Sequence, residues 1–345
     1  MCQRIHFSIL SALLYCKTKL YPYLCDAVRG AKPYGLAEMI PYEPDMYNNS
    51  AGKRYAIHCF IGLDKAVSWG CIILITMKKK YHRVLTIAGS DSGGGAGIQA
   101  DIKAISAMGC YAASAITAIT VQNTIGVQAV HPIPLDILVG QIDAVLSDIG
   151  ADAIKIGMLH SAEVVNIVAE KIEQYGIRNV VLDPVMVSTS GHRLMEEKAV
   201  EVIKERLIPL ARVLTPNVPE AEILIGRNIV GECNFEEVAK ELAHRYHVSV
   251  LLKAGHLSGD VLTDYFYNIE DDTLTLLPSK RVETRNTHGT GCTLSSAFAS
   301  AIAKNEQLTR AAQLAKKYIE QAIIAGADYE IGHGHGPVNH FFEFT

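Results

Sequence analysis

The sequence predicts an α/β fold, a single layered domain of about 270 residues built around a parallel sheet. Two observations carry that expectation. Short apolar runs rich in Val, Ile and Ala recur from Arg83 onward, and near-continuous apolar runs suit strands buried on both faces. Longer amphipathic stretches alternate with them, as helices covering those faces must.

Six runs read as strands: VLTIAG (84–89), ASAITAITV (113–121), AIKIGM (153–158), NVVLDPV (179–185), RVLTPN (212–217) and VSVLLKAG (248–255). Between them the 3.6-residue period places helices near 96–108, 134–148, 161–175, 196–206 and 235–245. Segments 261–269 and 272–282 read as a hairpin with Asp271-Asp272 near its turn, and two helices, about 291–303 and 307–327, follow. No repeat of 20–50 residues is visible.

Composition narrows the function classes. Hydrophobic residues make up 49% of the 345 and charged residues 20%, enough apolar surface to bury a core. No apolar run reaches the ~18 residues of a membrane span. A net charge of −4 leaves no basic footprint for nucleic acid. Neither a membrane nor a nucleic acid is an expected partner.

Residues 1–76 differ from the rest. They hold five of the eight cysteines (Cys2, Cys16, Cys25, Cys59, Cys71), the only tryptophan, Trp69, and seven of the 15 tyrosines. Their net charge is +3, against −7 for the remainder. Pro22, Pro33, Pro41 and Pro44 interrupt any period. Phe7–Tyr15 makes a poor signal peptide, because the charged start is thin and no A-x-A site follows. The odd, irregularly spaced cysteines make a poor disulfide framework. The expectation is a poorly ordered or spurious extension over 1–76 and a domain over 77–345. MKKKYHRVLTIAGSDS, from Met77, reads like an ordinary cytoplasmic start, with Lys78–Lys80 a solvated tail.

Ligands of open parallel sheets bind beyond the carboxyl ends of the strands, and chemistry-bearing residues cluster there. Gly89-Ser90-Asp91-Ser92-Gly93-Gly94-Gly95-Ala96-Gly97 follows the first strand. Its spacing fits neither GxGxxG nor GxxxxGK[ST], so dinucleotide-binding and P-loop readings lose support. The second cluster is Asn286-Thr287-His288-Gly289-Thr290-Gly291-Cys292-Thr293, running into an apolar helix. Amides from Gly289 to Cys292 would converge at the helix start as a hole for developing negative charge. The helix dipole there is expected to lower the Cys292 pKa toward a usable thiolate, the bland alternative being a buried cysteine under a glycine turn.

Asn217 and Glu220, in TPNVPE, stand three apart at a helix start. They suit Mg²⁺ held through waters or, equally, a helix cap. Lys253 ends an apolar strand and needs a partner or a phosphate; Asp183 ends another. His333 and His335, separated by glycine, lack a rigid ligand spacing.

Taken in order, LTIAGSDSGGGAGIQADIKA, TAITVQNTIGV, IKIGML, NVVLDPVM, LTPNVPEAEIL, LLKAGH, NTHGTGCTLSSA and GHGHGPVNHF resemble the hydroxymethylpyrimidine/phosphomethylpyrimidine kinases, thiamin-pathway enzymes of the ribokinase-like superfamily. The resemblance runs from about Val84 to Phe342. It implies a three-layer αβα fold with a mostly parallel central sheet, usually a homodimer. It also implies an enzyme that uses ATP and Mg²⁺ to phosphorylate 4-amino-5-hydroxymethyl-2-methylpyrimidine and then its monophosphate. Carried over by motif, Gln122 would read the aminopyrimidine edge, Gly89, Ala96, Met158 and Val185 would line its pocket, and Asp101 would support it. Asp183, Asn217 and Glu220 would organise Mg²⁺ and phosphates. Lys253, with Thr215, Asn217 and Thr290, would contact ATP. Gly289, Gly291 and Cys292 would form the anion hole and its base. Sugar-kinase relatives carry an aspartate where Cys292 stands, which argues against a sugar substrate. A pyridoxal kinase is the alternative enzyme, and a non-catalytic pyrimidine sensor the alternative class.

Overall fold

In the computed structural model, residues 80–186, 195–229, 235–253 and 260–344 are described, together with three strands within 46–77. The chain divides into two units, Met1–Lys80 and Tyr81–Thr345. In the first, β1 (Met46–Asn48), β2 (Arg54–Ile61) and β3 (Cys71–Met77) form an antiparallel sheet in the order β1-β2-β3. The segment Phe7–Tyr15 lies outside the described residues.

The second unit is organised by a nine-stranded sheet of order β12-β11-β10-β9-β8-β7-β4-β5-β6. Its parallel strands are β4 (Arg83–Asp91), β5 (Tyr111–Gln122), β7 (Ala153–Ile156), β8 (Val180–Leu182), β9 (Val213–Leu214) and β10 (Ser249–Leu252). These are the six apolar runs, in shorter or longer form. The hairpin is β11 (Val261–Asn268) and β12 (Thr273–Lys280), antiparallel to each other and to β10, and Asp272 takes the left-handed conformation in its turn. At the opposite edge, β6 (Val127–Pro132) pairs antiparallel with β5. Its burial pattern is almost wholly exposed, so no apolar run announces it in the sequence.

Eight α-helices occur among the described residues: α1 (Gly97–Ala107), α2 (Leu135–Ala144), α3 (Ala162–Tyr175), α4 (Glu197–Val202), α5 (Val218–Ile225), α6 (Phe235–Tyr246), α7 (Thr290–Ala303) and α8 (Leu308–Gly326). Two of the longer stretches expected to be helical, 134–148 and 196–206, finish in π turns at Val145–Ile149 and Ile203–Leu207.

Alternate residues of each strand enter different cores. Leu85, Ile87, Ile154, Ile156, Leu182 and Val250 pack with α2, α3, α5 and α6. Val84, Ala153, Val181, Val213 and Leu251 pack with α1, α7 and α8. The sheet is therefore the middle of three layers, as expected. Helix α7 is buried almost all round, from Thr293 to Ala303. Small side chains (Ser295, Ser296, Ala297, Ala299) let it lie close to the sheet, and Phe298 meets Phe266 with ring centroids 5.6 Å apart. That seating aims the α7 N-terminus at the strand ends.

Candidate active site

The parallel strands deliver their carboxyl ends to one cavity of about 790 Å³. Into its wall β4 brings Gly89 and Asp91, β5 Thr120 and Gln122, and the loop after β7 brings Met158. Asp183 and Val185 follow β8, Asn217 follows β9, and Lys253 follows β10. Ala96, Glu220 and the turn Gly289–Cys292 complete the meeting of residues expected from sequence. Asp101 and Thr215 do not line the cavity; both are buried behind it.

The charged part of the site is built on Lys253. Its ammonium lies 2.8 Å from Asp183 Oδ1 and 4.0 Å from Glu220 Oε2. Thr215 donates its hydroxyl to Asp183 Oδ1 at 3.2 Å, so its place is to hold that carboxylate. Burial pushes the Asp183 carboxyl up, but Lys253, Lys155 and these hydrogen bonds hold it below the usual range. Burial pushes Lys253 down, yet Asp183 and Glu220 keep it above its ordinary value. Glu220 is different: burial, with Asp183 adding repulsion, raises it to about 7 despite Lys253.

Asn217 and Glu220 form a capping box on α5. Asn217 N–H donates to Glu220 Oε2 at 2.8 Å, and Glu220 N–H donates to Asn217 Oδ1 at 2.9 Å. The cap takes the Asn217 oxygen and orients the Glu220 carboxylate toward Lys253.

The α7 N-terminus adjoins this charged group. Gly289 has φ +79°, and a side chain there would collide with the carbonyl oxygen of Gly95, so the two glycine loops touch because neither carries a Cβ at the crossing. A Cβ on Gly291 would sit 3.3 Å from Lys253 Nζ and 3.5 Å from Asp183 Oδ2. The first-turn amides of α7, which have no intrahelical acceptor, thus begin beside the Lys253 ammonium. Cys292 corrects an expectation: its thiol is raised to about 11, not lowered. Burial is the largest cause, with Asp101 and Asp183 adding to it, and these outweigh Lys155 and the Gly97 amide.

Beneath this turn lies a pair that the sequence reading left incomplete. Lys155 donates to both Asp101 oxygens at 2.8 and 2.9 Å, and both side chains are fully buried. Thr86 of β4 and Ser296 of α7 donate to the same carboxylate at 2.6 and 2.8 Å. Asp101 therefore ties α1, β4, β7 and α7 together beneath the start of α7. A lone lysine inside the apolar run AIKIG was the available signal for Lys155, the same one that singled out Lys253.

Asp91 and His288 were also missed. Asp91 is buried and accepts from the amides of Gly93 (2.8 Å), Gly95 (3.1 Å) and Ala96 (2.8 Å). Burial raises its carboxyl, but His288 and these amides hold it below the usual range. His288 Nε2 lies 3.1 Å from Asp91 Oδ2 and 3.2 Å from the Gln122 amide, whose other terminal atom lies 3.1 Å from Thr120 Oγ1. A carboxylate closing a strand just before a glycine run, as Asp183 closes another, was the signal for Asp91.

The glycine–histidine segment near the C-terminus straps this wall. Gly334 N–H donates to Thr124 Oγ1 and His335 N–H to Thr124 O, while His288 N–H donates to Gly336 O. Further on, His340 Nε2 lies 2.9 Å from the Thr293 hydroxyl of α7.

Three comparisons bear on this geometry. The family model described as phosphomethylpyrimidine kinase matches residues 91–339. A hydroxymethylpyrimidine/phosphomethylpyrimidine kinase of Rhizobium meliloti is 50% identical over 258 residues, covering 74% of this chain and 96% of that protein. Among solved structures, a phosphomethylpyrimidine kinase from Clostridium difficile is 42% identical at TM-score 0.62, covering 70% of this chain and 99% of that one. An ADP complex of Bacillus subtilis pyridoxal kinase is 34% identical at TM-score 0.70, covering 76% and 98%.

Proposed function

The chain belongs to the phosphomethylpyrimidine kinase family, and from that premise we propose that it phosphorylates 4-amino-5-hydroxymethyl-2-methylpyrimidine with ATP, then phosphorylates the monophosphate to the diphosphate used for thiamin. In the first step the hydroxymethyl oxygen bonds to the γ-phosphorus as the bond to ADP breaks, and the alcohol proton passes to a phosphate oxygen or to water. The observation that carries this reading is one wall that joins the Lys253–Asp183 pair, at 2.8 Å, to the start of α7. Phosphoryl transfer is mostly positioning and charge neutralisation, and an ammonium beside the first amides of a helix suits both.

In this reading Lys253 and the amides of the Gly289–Cys292 turn receive phosphate oxygens, with Thr290 beside them. Gln122 offers the aminopyrimidine edge one amide donor and one acceptor. Gly89, Ala96, Met158 and Val185 shape the apolar remainder of its pocket. Cys292 lies at the transfer point, but a thiol raised to about 11 is neutral at pH 7, so charge and position carry the step before any base does. The donor set fits Mg²⁺. Asp183 and Glu220 are hard oxygen ligands flanking Lys253, and Mg²⁺ commonly takes one or two carboxylates with waters and phosphates. The ion would neutralise charge on the nucleotide phosphates.

We also propose a homodimer formed through the β5–β6 edge, where Ile119, Val121 and Ala129 share one exposed face. Among the described residues no helix is long and apolar enough to cross a membrane. The reaction draws on an ATP pool, so the cytoplasm is the compartment expected for it.

The likeness to pyridoxal kinase supplies a second reading, so the test offers both alcohols. Purified protein with ATP, Mg²⁺ and each alcohol should give pyrimidine mono- and diphosphate as its main products. Pyridoxal phosphate as the main product would transfer the assignment to the second reading, and no product from either would leave a binding protein. Gln122→Leu should raise KM for the pyrimidine by about tenfold or more and leave KM for ATP within about twofold. An unchanged pyrimidine KM removes Gln122 from recognition.

A further inference from the structure

We propose that His288 and Asp91 fix the sense of the Gln122 amide, and through it select an aminopyrimidine edge over the corresponding oxo edge. The inference rests on Gln122 reading the pyrimidine and goes on to say what makes that reading selective.

The protons around Gln122 do not match their partners. Thr120 Oγ1 has one proton and two oxygens in reach, Ser90 O at 2.9 Å and Gln122 Oε1 at 3.1 Å. His288 Nε2 lies 3.1 Å from a carboxylate oxygen and 3.2 Å from Gln122 Nε2. If His288 Nε2 carries a proton, that proton suits Asp91 but meets an amide NH₂, so two donors face each other. If it carries none, its lone pair suits the NH₂ but faces the Asp91 oxygen. Neither state satisfies the cluster.

Turning the amide end for end resolves both conflicts at once. The oxygen and nitrogen of a side-chain amide are distinguished by their partners and not by shape. With the oxygen toward His288, the Nε2 proton is shared between Asp91 Oδ2 and the amide oxygen. With the NH₂ toward Thr120, it donates to Oγ1, whose own proton goes to Ser90 O. Asp91 dictates this choice. Three backbone amides and the His288 contact hold it as an anion, and an anion at 3.1 Å requires the His288 nitrogen to be a donor.

The amide then has one sense only, with a single acceptor and a single donor left for a ligand. A 4-aminopyrimidine presents a ring-nitrogen acceptor beside an NH₂ donor. Its 4-oxo analogue, with a protonated ring nitrogen beside a carbonyl, has the same outline and the reverse order. An amide free to turn pairs with either; one locked by His288 and Thr120 pairs with one. The wrong edge leaves two buried groups unpaired, which corresponds to roughly 10–100-fold in affinity.

Titration calorimetry on the full chain, with the amino alcohol and its 4-oxo analogue as probes, tests this. The parent should prefer the amino form by roughly 10–100-fold. His288→Phe keeps a ring against Gly95 and removes the donor; the preference should fall to within about threefold as the amide turns freely. Thr120→Val loosens the other end and should lower the preference by about threefold or more, so it carries the test if His288→Phe does not fold. Equal binding of both probes by the parent, or an undiminished preference in a folded variant, overturns the inference. Gln122→Leu separates the two levels. If it leaves amino-alcohol binding intact, the underlying reading of the pocket fails; if it weakens binding while His288→Phe keeps full selectivity, only the lock fails.

Discussion

At the scale of single residues, Cys292 shows how burial and charge decide reactivity that sequence position alone misjudges. A cysteine in the first turn of a helix suggested a lowered pKa, but the half-buried side chain stands near Asp101 and Asp183, and desolvation with these two carboxylates raises its thiol to about 11. At pH 8 its thiolate fraction is smaller than that of a free cysteine by on the order of a hundredfold. Alkylation of Cys292, followed by peptide mass analysis, should be slower than that of a model thiol by about that factor and still be accelerating at pH 9. Because a neutral thiol contributes little as a base, Cys292→Ser should keep turnover within about tenfold. Rapid alkylation at pH 7 or a loss beyond a thousandfold would return the thiolate to the mechanism. The identity of the group was legible in its motif. Its protonation was not, because Lys155, Asp101 and Asp183 arrive from three other segments of the chain.

At the scale of elements, five of the six parallel strands were readable because both their faces are buried and their runs are therefore apolar. Strand β5 was readable because its run is apolar even where Ile119 and Val121 are exposed. Strand β6 was not, since it is an exposed edge. The site was legible where a polar residue closes an apolar strand, as with Asp183 and Lys253. It was less so where partners only meet in space, as with Lys155 and Ser296. The start of α5 shows how one element serves two ends. Its capping box satisfies the helix N-terminus and at the same time holds Glu220 against Lys253. Glu220 is raised from its ordinary value to about 7, so the folded protein binds this proton more tightly than the unfolded chain does. Its contribution to stability is complete below about pH 4.5 and lost as pH rises through about 7. Asp183, held low, acts in the opposite direction and only in acid. Between pH 5 and 8, then, Glu220→Gln should flatten the fall in Tm, narrowing it by several degrees as read by calorimetry at each pH. Parallel profiles for parent and variant would mean that Glu220 ionises normally.

At the scale of the molecule, the family match over residues 91–339 and the unit running from Tyr81 to Thr345 give the same object, a three-layer domain with its site along one edge of the sheet. The proposal for the chain as a whole follows from that. A chain beginning at Met77 should fold, keep kinase turnover within about tenfold of the full length and sediment as a dimer; unfolding, a greater loss or a monomer at micromolar concentration would each refute the corresponding part. The strap over the site has a further consequence, for how the protein comes into being. Residues 334–340 hold the Thr124 turn, the His288 backbone and Thr293, yet they are translated after every strand of the sheet and every α-helix. A growing chain can therefore form the sheet and its helices before these residues exist, and the wall they strap is the last part of the cavity to close.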